Sequence, residues 1–346
     1  MDQEYTQRLK KIEAELERWL SKPAEAGRFE EIFPGLEKKP GAESLDALFT
    51  PGKDILSRGG KRWRPLLMTL VCESLGGGDS ALPLTPLVEL CHNASLIHDD
   101  IEDDSDERRG KPSVHKLYGV DTAINSGSFL YFLPLCCIES CSMEDKNLIY
   151  RLWAEYIRKL HLGQAMDINW HRNLSLVPDI EEYHIMCGLK TGSLARLAVE
   201  LGAYAAGASQ KAAQMLGEAA EKLGMGFQIL DDVKNLSTGV PGKQRGDDII
   251  EGKKSLPVLL YLHKYPKKRE QVFYGFHAAR TNGAAAPEAG ELIQNLIDSG
   301  VLTDAEKKGQ AFIADARKIF NARQYAGFPM DEKGRGLIAG LIDLIS

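Results

Sequence analysis

The feature that most limits how this chain can fold is the spacing of its apolar residues. In LVELCHNASLI, LIYRLWAEYIRKLHLGQAM, SLARLAVELGAYAAGA and AAEKLGMGFQILDDV they recur at intervals of three and four. That interval places side chains on one face of an α-helix. Ala, Leu, Glu and Lys, all good helix formers, are abundant in the same runs. Alternating β-branched runs are almost absent, so the predicted fold is all-α, without a sheet. Breaks fall at FPGLEKKPGAES, TPGK, LGGGDSALPLTP, STGVPGKQRGDD and TNGAAAPEAG, and none of these is long enough for a domain linker. A single domain over residues 1–346 is expected, with a motif-bearing core over about 45–264 and C-terminal helices over about 288–346.

Of the 346 residues 43% are apolar, enough for a sizeable core, and the net charge of -6 argues against nucleic acid as a partner. The longest apolar stretch, FLYFLPLCCI (129–138), is short of the roughly 20 residues that span a bilayer. The opening MDQEYTQRLKKIEAELERWL reads as an amphipathic helix, not a signal segment. Cys72, Cys91, Cys136, Cys137, Cys141 and Cys187 sit in apolar contexts without a CxxC pair. They are expected to be reduced core residues in a cytoplasmic protein, with no zinc site.

Against this background LIHDDIEDDSDERRG (96–110) stands out, because residues 99–107 hold seven carboxylates. On a helix Asp99 and Asp103 share a face, with Asp100 and Asp104 on the adjoining stripe. Such crowding destabilises a bare helix and suggests a compensating cation. Hard carboxylate oxygens suit Mg²⁺, which takes a few carboxylates and completes its shell with water and phosphate oxygens. A second cluster follows in FQILDDVKNL, where Asp231 and Asp232 close another apolar helical run and Asn235 lies one turn on. Two such clusters suggest carboxylates converging across a cavity on shared divalent ions. Basic groups accompany them: Lys61, Arg62 and Arg64 in GGKRWRP, Arg108 and Arg109, Lys190 beside Thr191, and Lys243, Lys253 and Lys254. Any one of these alone reads as solvated surface charge. Together with two acidic clusters they describe a pocket for two diphosphates.

GGKRWRP, LIHDDIEDDSDERRGKP, GQAMD, GLKTG and FQILDDVKN, in this order, resemble the motifs of the trans-isoprenyl diphosphate synthases, or polyprenyl synthetases. The resemblance implies the isoprenoid synthase fold, a single helical bundle around a deep central cavity, usually as a homodimer. It implies Mg²⁺ on Asp99 and Asp103, with Asp100 in support, and further Mg²⁺ on Asp231, with Asp232 beside it. Arg108, Lys190, Thr191, Gln228, Lys243 and Lys253 match residues that hold the allylic diphosphate. Gly60, Lys61, Arg64, His92 and Arg109 match the site for isopentenyl diphosphate. Asp99, Asp103, Lys190, Asp231 and Lys243 would carry the chemistry, while Gln164 and Asp167 match a motif lining the reaction chamber. His98, on the helix next to Asp99, reads as structural.

Product length is read from the residues below the first acidic motif. One helical turn, about 5.4 Å, is close to an isoprene unit. Ala94 and Ser95 lie one turn before Asp99 and Cys91 a turn further, and all three are small. Phe129, Tyr131 and Phe132 are candidates to close the channel from a neighbouring helix. The expected product is geranylgeranyl diphosphate (C20), with C15, C25 and longer as alternatives. A terpene cyclase on the same fold would lack the complete second-substrate set Lys61, Arg64, His92 and Arg109. A non-catalytic partner subunit would lack its acidic motifs. Two positions depart from the family pattern, Asn235 and Ser128, each where many relatives carry aspartate. Asn235 still offers a carbonyl oxygen to a metal.

Overall fold

A computed structural model describes residues 3–21, 28–239, 245–283 and 286–346. The helices of eight or more residues, in chain order, are α1 (Gln3–Leu20), α2 (Ala42–Ser57), α3 (Trp63–Ser74), α4 (Thr85–Glu102), α5 (Val120–Phe132), α6 (Lys146–Arg172) and α7 (Ile180–Cys187). They continue as α8 (Ser193–Ala205), α9 (Gln210–Ser237), α10 (Leu256–Lys264), α11 (Arg269–Asn282), α12 (Pro287–Asp298), α13 (Val301–Phe320) and α14 (Glu332–Ile345). A single turn of π-helix, Gly188–Gly192, joins α7 to α8. Among the described residues, strand is confined to two ladders, Glu107–Arg108 with Lys111–Pro112 and Gln324–Tyr325 with Phe328–Pro329. The all-α expectation holds. All six cysteines are free, and no helix among the described residues is long and apolar enough to cross a membrane.

The chain forms two compact units, and it passes repeatedly from one to the other. The first comprises Met1–Ala154, Leu197–Gly217 and Phe320–Ile345; the second comprises Glu155–Arg196, Glu218–Ile319 and Ser346. In the first, α1, α2, α3 and α5 pack on α4, and α14 lies along α3. Leu87, Val88, Leu90, Cys91, Ala94 and Ile97 of α4 are completely buried. They fall on more than one face, as in a helix enclosed by others. Gly52 lets α2 approach α5 closely, since a Cβ there would lie 2.9 Å from a Leu130 methyl. Each fully buried Leu or Ile contributes about 1.5–3 kcal/mol, so α4 is a firm base for whatever its C-terminal end carries.

In the second unit an apolar core gathers Tyr183, Cys187, Ile229, Leu236, Leu256 and Phe276. Helix α7 starts on a reciprocal cap, in which Asp179 accepts from the Glu182 N–H and Glu182 accepts from the Asp179 N–H. That arrangement satisfies two otherwise orphaned donors and fixes the entry of the helix that leads into the π turn.

Candidate active site

The first acidic cluster closes α4, and the chain then reverses in a hairpin. Arg109 and Gly110 take φ values of 55° and 72° between the paired strands, and positive φ at both central residues is the geometry of a tight two-residue hairpin turn. The reversal sends the two neighbouring arginines in different directions. Arg108 returns to the acids: its Nε donates to Asp100 Oδ1 at 2.8 Å, and Nη2 reaches Asp100 and, at 3.4 Å, Asp99 Oδ2. Arg109 turns to the 55–60 segment, where Nη1 donates to the carbonyls of Gly59 and, at 3.2 Å, Ile55. Gly60 makes room for it, since a Cβ there would lie 3.0 Å from Arg109 Nη2.

GGKRWRP separates in the same way. Gly59, Gly60 and Arg62 have φ of 81°, 143° and 46°, so the segment coils back before α3 begins. Arg62 is fully engaged, donating to Glu13 at 2.7 Å, Glu89 at 2.8 Å and the Leu56 carbonyl at 2.6 Å. Burial opposes its charge, but Glu89 and Glu13 hold its pKa above the usual arginine value. Arg64 has the charge of Glu89 in support but no acid at hydrogen-bond distance among the described residues. It is 8% exposed, and its Nε has no hydrogen-bond partner among the described residues. Its guanidinium lies 4.5 Å from the centre of the Trp63 ring, and burial lowers its pKa to about 10. His92, half-buried on α4, is held well below the usual imidazole range by burial and by Arg64, Arg109, Arg62 and Arg108. It is therefore neutral. Lys61 is exposed at the edge. Gly60, Arg64, His92 and Arg109 thus form a cationic corner of the first unit. A buried guanidinium without a hydrogen-bonded acid is costly, and an arriving polyanion relieves that cost.

The second set of basic residues lies in the second unit and is internally paired. Gly163 opens the GQAMD motif, and a Cβ there would fall on the Lys190 backbone nitrogen. The π turn consequently sits directly on α6, and Lys190 Nζ meets Asp167, one turn beyond Gly163, at 2.6 Å. Thr191 Oγ1 donates to Gln228 Oε1 at 2.9 Å. Lys253 pairs with Glu251. Lys243 lies outside the described residues.

Asp231 and Asp232 close the second cluster, with Asp231 half-buried and Asp232 buried. Both oxygens of Asp232 take hydrogen bonds from protein, from Tyr183 Oη at 2.6 Å and from Gln228 Nε2 at 2.9 Å. Burial raises its carboxyl pKa to about 6 against the pull of those two donors. Asp232 is thereby held by protein donors on both oxygens. Asp100 is completely buried and anchors Arg108. Asn235 Oδ1 accepts the Asp248 N–H at 3.3 Å, a bond that braces the turn after α9.

The donors fit the expected ion. Among the described residues no group of three or more His, Cys, Asp or Glu gathers closely enough to enclose a metal. The half-buried Asp99 and Asp103, in helical register, form an open oxygen-donor edge. Few carboxylates in an open arrangement suit Mg²⁺ better than zinc.

Below this edge Cys91 and Ala94 are completely buried, and Ser95 turns its hydroxyl to the His92 carbonyl at 2.8 Å. Phe132 does not close a channel within this chain, because its ring is 60% exposed and rests beside Trp153. Phe129 belongs to an aromatic cluster with Phe33 and Phe49. His98 is structural as expected: Nδ1 contacts the Ala94 carbonyl at 2.9 Å, and the ring stacks on Tyr131. Ser128, unexplained from sequence, has its Oγ 3.4 Å from His98 Nε2. The sequence reading missed Glu89 and Tyr183. A lone acid inside the apolar run of α4 is a signal for the first; for the second there was none beyond its place two turns before Lys190.

The model of the family described as polyprenyl synthetase matches residues 46–289. A geranylfarnesyl diphosphate synthase of Aeropyrum pernix is 31% identical over 310 residues, 87% of this chain and 94% of that protein. A short chain isoprenyl diphosphate synthase of Methanocaldococcus jannaschii is 38% identical over 228 residues, 64% of this chain and 68% of its own. The solved geranylgeranyl pyrophosphate synthetase of the archaeon Geoglobus acetivorans superposes with a TM-score of 0.76 at 26% identity, covering 96% of this chain and 98% of that one. With the motifs in order and the helical fold in place, the chain belongs to the polyprenyl synthetase family and is a trans-prenyltransferase.

Proposed function

We propose that this chain joins isopentenyl diphosphate head-to-tail to an allylic diphosphate, with Mg²⁺, and releases a C20 product. The observation that carries the reading is the cationic corner of Arg64, Arg109 and neutral His92, with a buried guanidinium that has no carboxylate at hydrogen-bond distance among the described residues. A polyanion is the ligand that such a corner accepts, and isopentenyl diphosphate, flanked by Gly60 and Lys61, is our candidate. Arg108, Lys190, Thr191, Gln228, Lys243 and Lys253 are assigned to the allylic diphosphate.

In the reaction the allylic carbon–oxygen bond breaks to an allylic cation and pyrophosphate, and the double bond of isopentenyl diphosphate attacks that cation. A proton is then lost, for which the departing pyrophosphate is the available base. Asp99 and Asp103, and separately Asp231, would hold Mg²⁺, which would supply positive charge against the departing diphosphate. Lys190 and Lys243 would add positive charge and Arg108 would meet the diphosphate as a planar fork; Asp100 holds Arg108 and Asp232 holds Gln228. No protein nucleophile is needed.

The small, buried Cys91 and Ala94, with Ser95, favour C20; the Aeropyrum relative's name makes C25 the nearest alternative. We also propose a single domain acting as a homodimer. Leu117, Val120, Ile124 and Phe132 are 45–60% exposed along one stretch of the first unit, and exposed apolar residues of this kind suit a two-fold interface. The six free cysteines support a cytoplasmic setting. The test is incubation with isopentenyl diphosphate, each allylic primer and Mg²⁺, followed by product chromatography. A chain that consumes no isopentenyl diphosphate with any primer overturns the reading.

A further inference from the structure

Tyr183 has no place in the reaction described above, yet it is 1% exposed and aims its hydroxyl at a carboxylate of the second acidic cluster. From it runs an unbroken series of side-chain hydrogen bonds. Tyr183 Oη donates to Asp232 Oδ2 at 2.6 Å, and Gln228 Nε2 donates to Asp232 Oδ1 at 2.9 Å. With its amide nitrogen committed there, Gln228 presents Oε1 to Thr191 Oγ1, which donates at 2.9 Å. Each link orients the next. A carboxylate held on both oxygens cannot rotate, and an amide with its nitrogen fixed cannot exchange its two ends.

We infer that Tyr183 is a positioning residue that sets the Lys190–Thr191 turn through Asp232 and Gln228, so that the allylic diphosphate meets Lys190 and the second Gln228 amide N–H already in place. The inference rests on assigning that turn to the allylic substrate. The scaffold around it agrees. The reciprocal cap on Asp179 and Glu182 pins the first turn of α7, where Tyr183 sits. The π turn follows at once, and such local widenings of a helix recur at functional sites. Gly192 and Gly224 let that turn and α9 touch, a Cβ on Gly224 lying 3.0 Å from Gly192 Cα. Little besides the side-chain relay is then left to adjust the Thr191 hydroxyl.

The test is Tyr183→Phe, which removes one oxygen and leaves the ring. Losing a donor to a buried carboxylate should raise the allylic KM about tenfold, with the KM for isopentenyl diphosphate within about twofold of wild type. The rise in melting temperature caused by inorganic pyrophosphate with Mg²⁺ should shrink in the variant, a readout independent of turnover. The decisive comparison is the double variant with Asp232→Asn. If Tyr183 acts through Asp232, Tyr183→Phe adds nothing to the allylic KM of Asp232→Asn. Additive effects, or equal changes in both KM values, overturn the inference. Should Tyr183→Phe not fold, isosteric Asp232→Asn alone gives the same allylic split or overturns it. Wild-type enzyme that neither turns over nor binds pyrophosphate would instead mean that the assigned function fails.

Discussion

Arg64 and Lys190 are both assigned to a diphosphate, but only Lys190 already has an acid against it. Lys190 lies 2.6 Å from Asp167, Arg108 lies on Asp100 and Asp99, and Lys253 pairs with Glu251. Arg64 rests on an aromatic ring with an unsatisfied Nε, and Arg109 reaches backbone carbonyls. The difference is energetic. A cation that already has a carboxylate gains little by exchanging it for a phosphate unless the released carboxylate finds a new positive partner. A buried cation on carbonyls gains at once. Allylic diphosphate binding should therefore need Mg²⁺, and isopentenyl diphosphate binding should not.

The largest effect expected is on the metal-dependent half. Asp99→Ala and Asp231→Ala should each lower kcat by about 10³-fold or more, the several kcal/mol of a lost Lewis-acid contact. Calorimetric binding of isopentenyl diphosphate in EDTA should stay near its Mg²⁺ value. If EDTA abolishes binding of both substrates alike, the contrast between the two sites is gone.

Lys254 measures what an unpaired buried cation costs this protein. It is 2% exposed, donates to the Trp170 and Gly252 carbonyls at 3.0 and 2.9 Å, and lies over Phe276. Burial lowers its pKa from 10.5 to about 8. Between those values the unfolded chain holds a proton that the folded chain does not, so stability should rise with pH across that window. The gain is roughly 3 kcal/mol at 1.36 kcal/mol per pH unit. Urea unfolding of wild type and Lys254→Met between pH 8 and 10.5 isolates it. The wild type should gain on the variant as pH rises. A constant difference would mean that a buried cation is cheap here, and would weaken the case for Arg64.

Arg64→Met then tests the corner itself. Losing a charge-assisted contact of about 1.5–3 kcal/mol should raise the KM for isopentenyl diphosphate roughly 10- to 100-fold and leave the allylic KM near wild type. Lys190→Met should do the reverse, and by less, because Asp167 already occupies its ammonium. Equal shifts in both KM values from either variant would show that the two sites do not act separately.

Much of this contrast was legible in the sequence. Helical spacing gave the fold class, and the motifs gave the cations and carboxylates. What the sequence could not say is which neighbour each charge meets. Arg62 and Arg64 look equivalent in GGKRWRP, yet one is hydrogen-bonded to Glu13 and Glu89 from other helices and the other has an unsatisfied Nε. Arg108 and Arg109 diverge because of positive φ values in a two-residue turn. Helical spacing does not reveal what Asp232 and Asn235 meet; Tyr183 and the Asp248 backbone come from elsewhere in the chain. Phe132 was misplaced for the same reason, since aromatic identity does not reveal the outward face of α5.

The smallest effect expected on either diphosphate site is from Ala94→Phe, which makes it a control for the whole comparison. Ala94 is completely buried on α4, about one turn below the Asp99 and Asp103 edge, and its carbonyl contacts the His98 ring at 2.9 Å. A phenyl ring there adds bulk on the scale of an isoprene unit, and a close-packed interior accommodates it poorly, at a cost of about 1–3 kcal/mol. That cost should fall on the growing hydrocarbon tail and not on the charged head groups. Both KM values should therefore stay within about twofold of wild type, by the logic that only contacts to a substrate move its binding. The product after exhaustive elongation should shorten by about one unit, from C20 toward C15. Chromatography of the chain-length distribution reads one expectation, and initial rates read the other. A shortened product with intact KM values separates tail control on α4 from head-group control by the two cationic sets. An unchanged distribution from an active variant would mean that the tail does not pass Ala94, and C20 would lose its structural support.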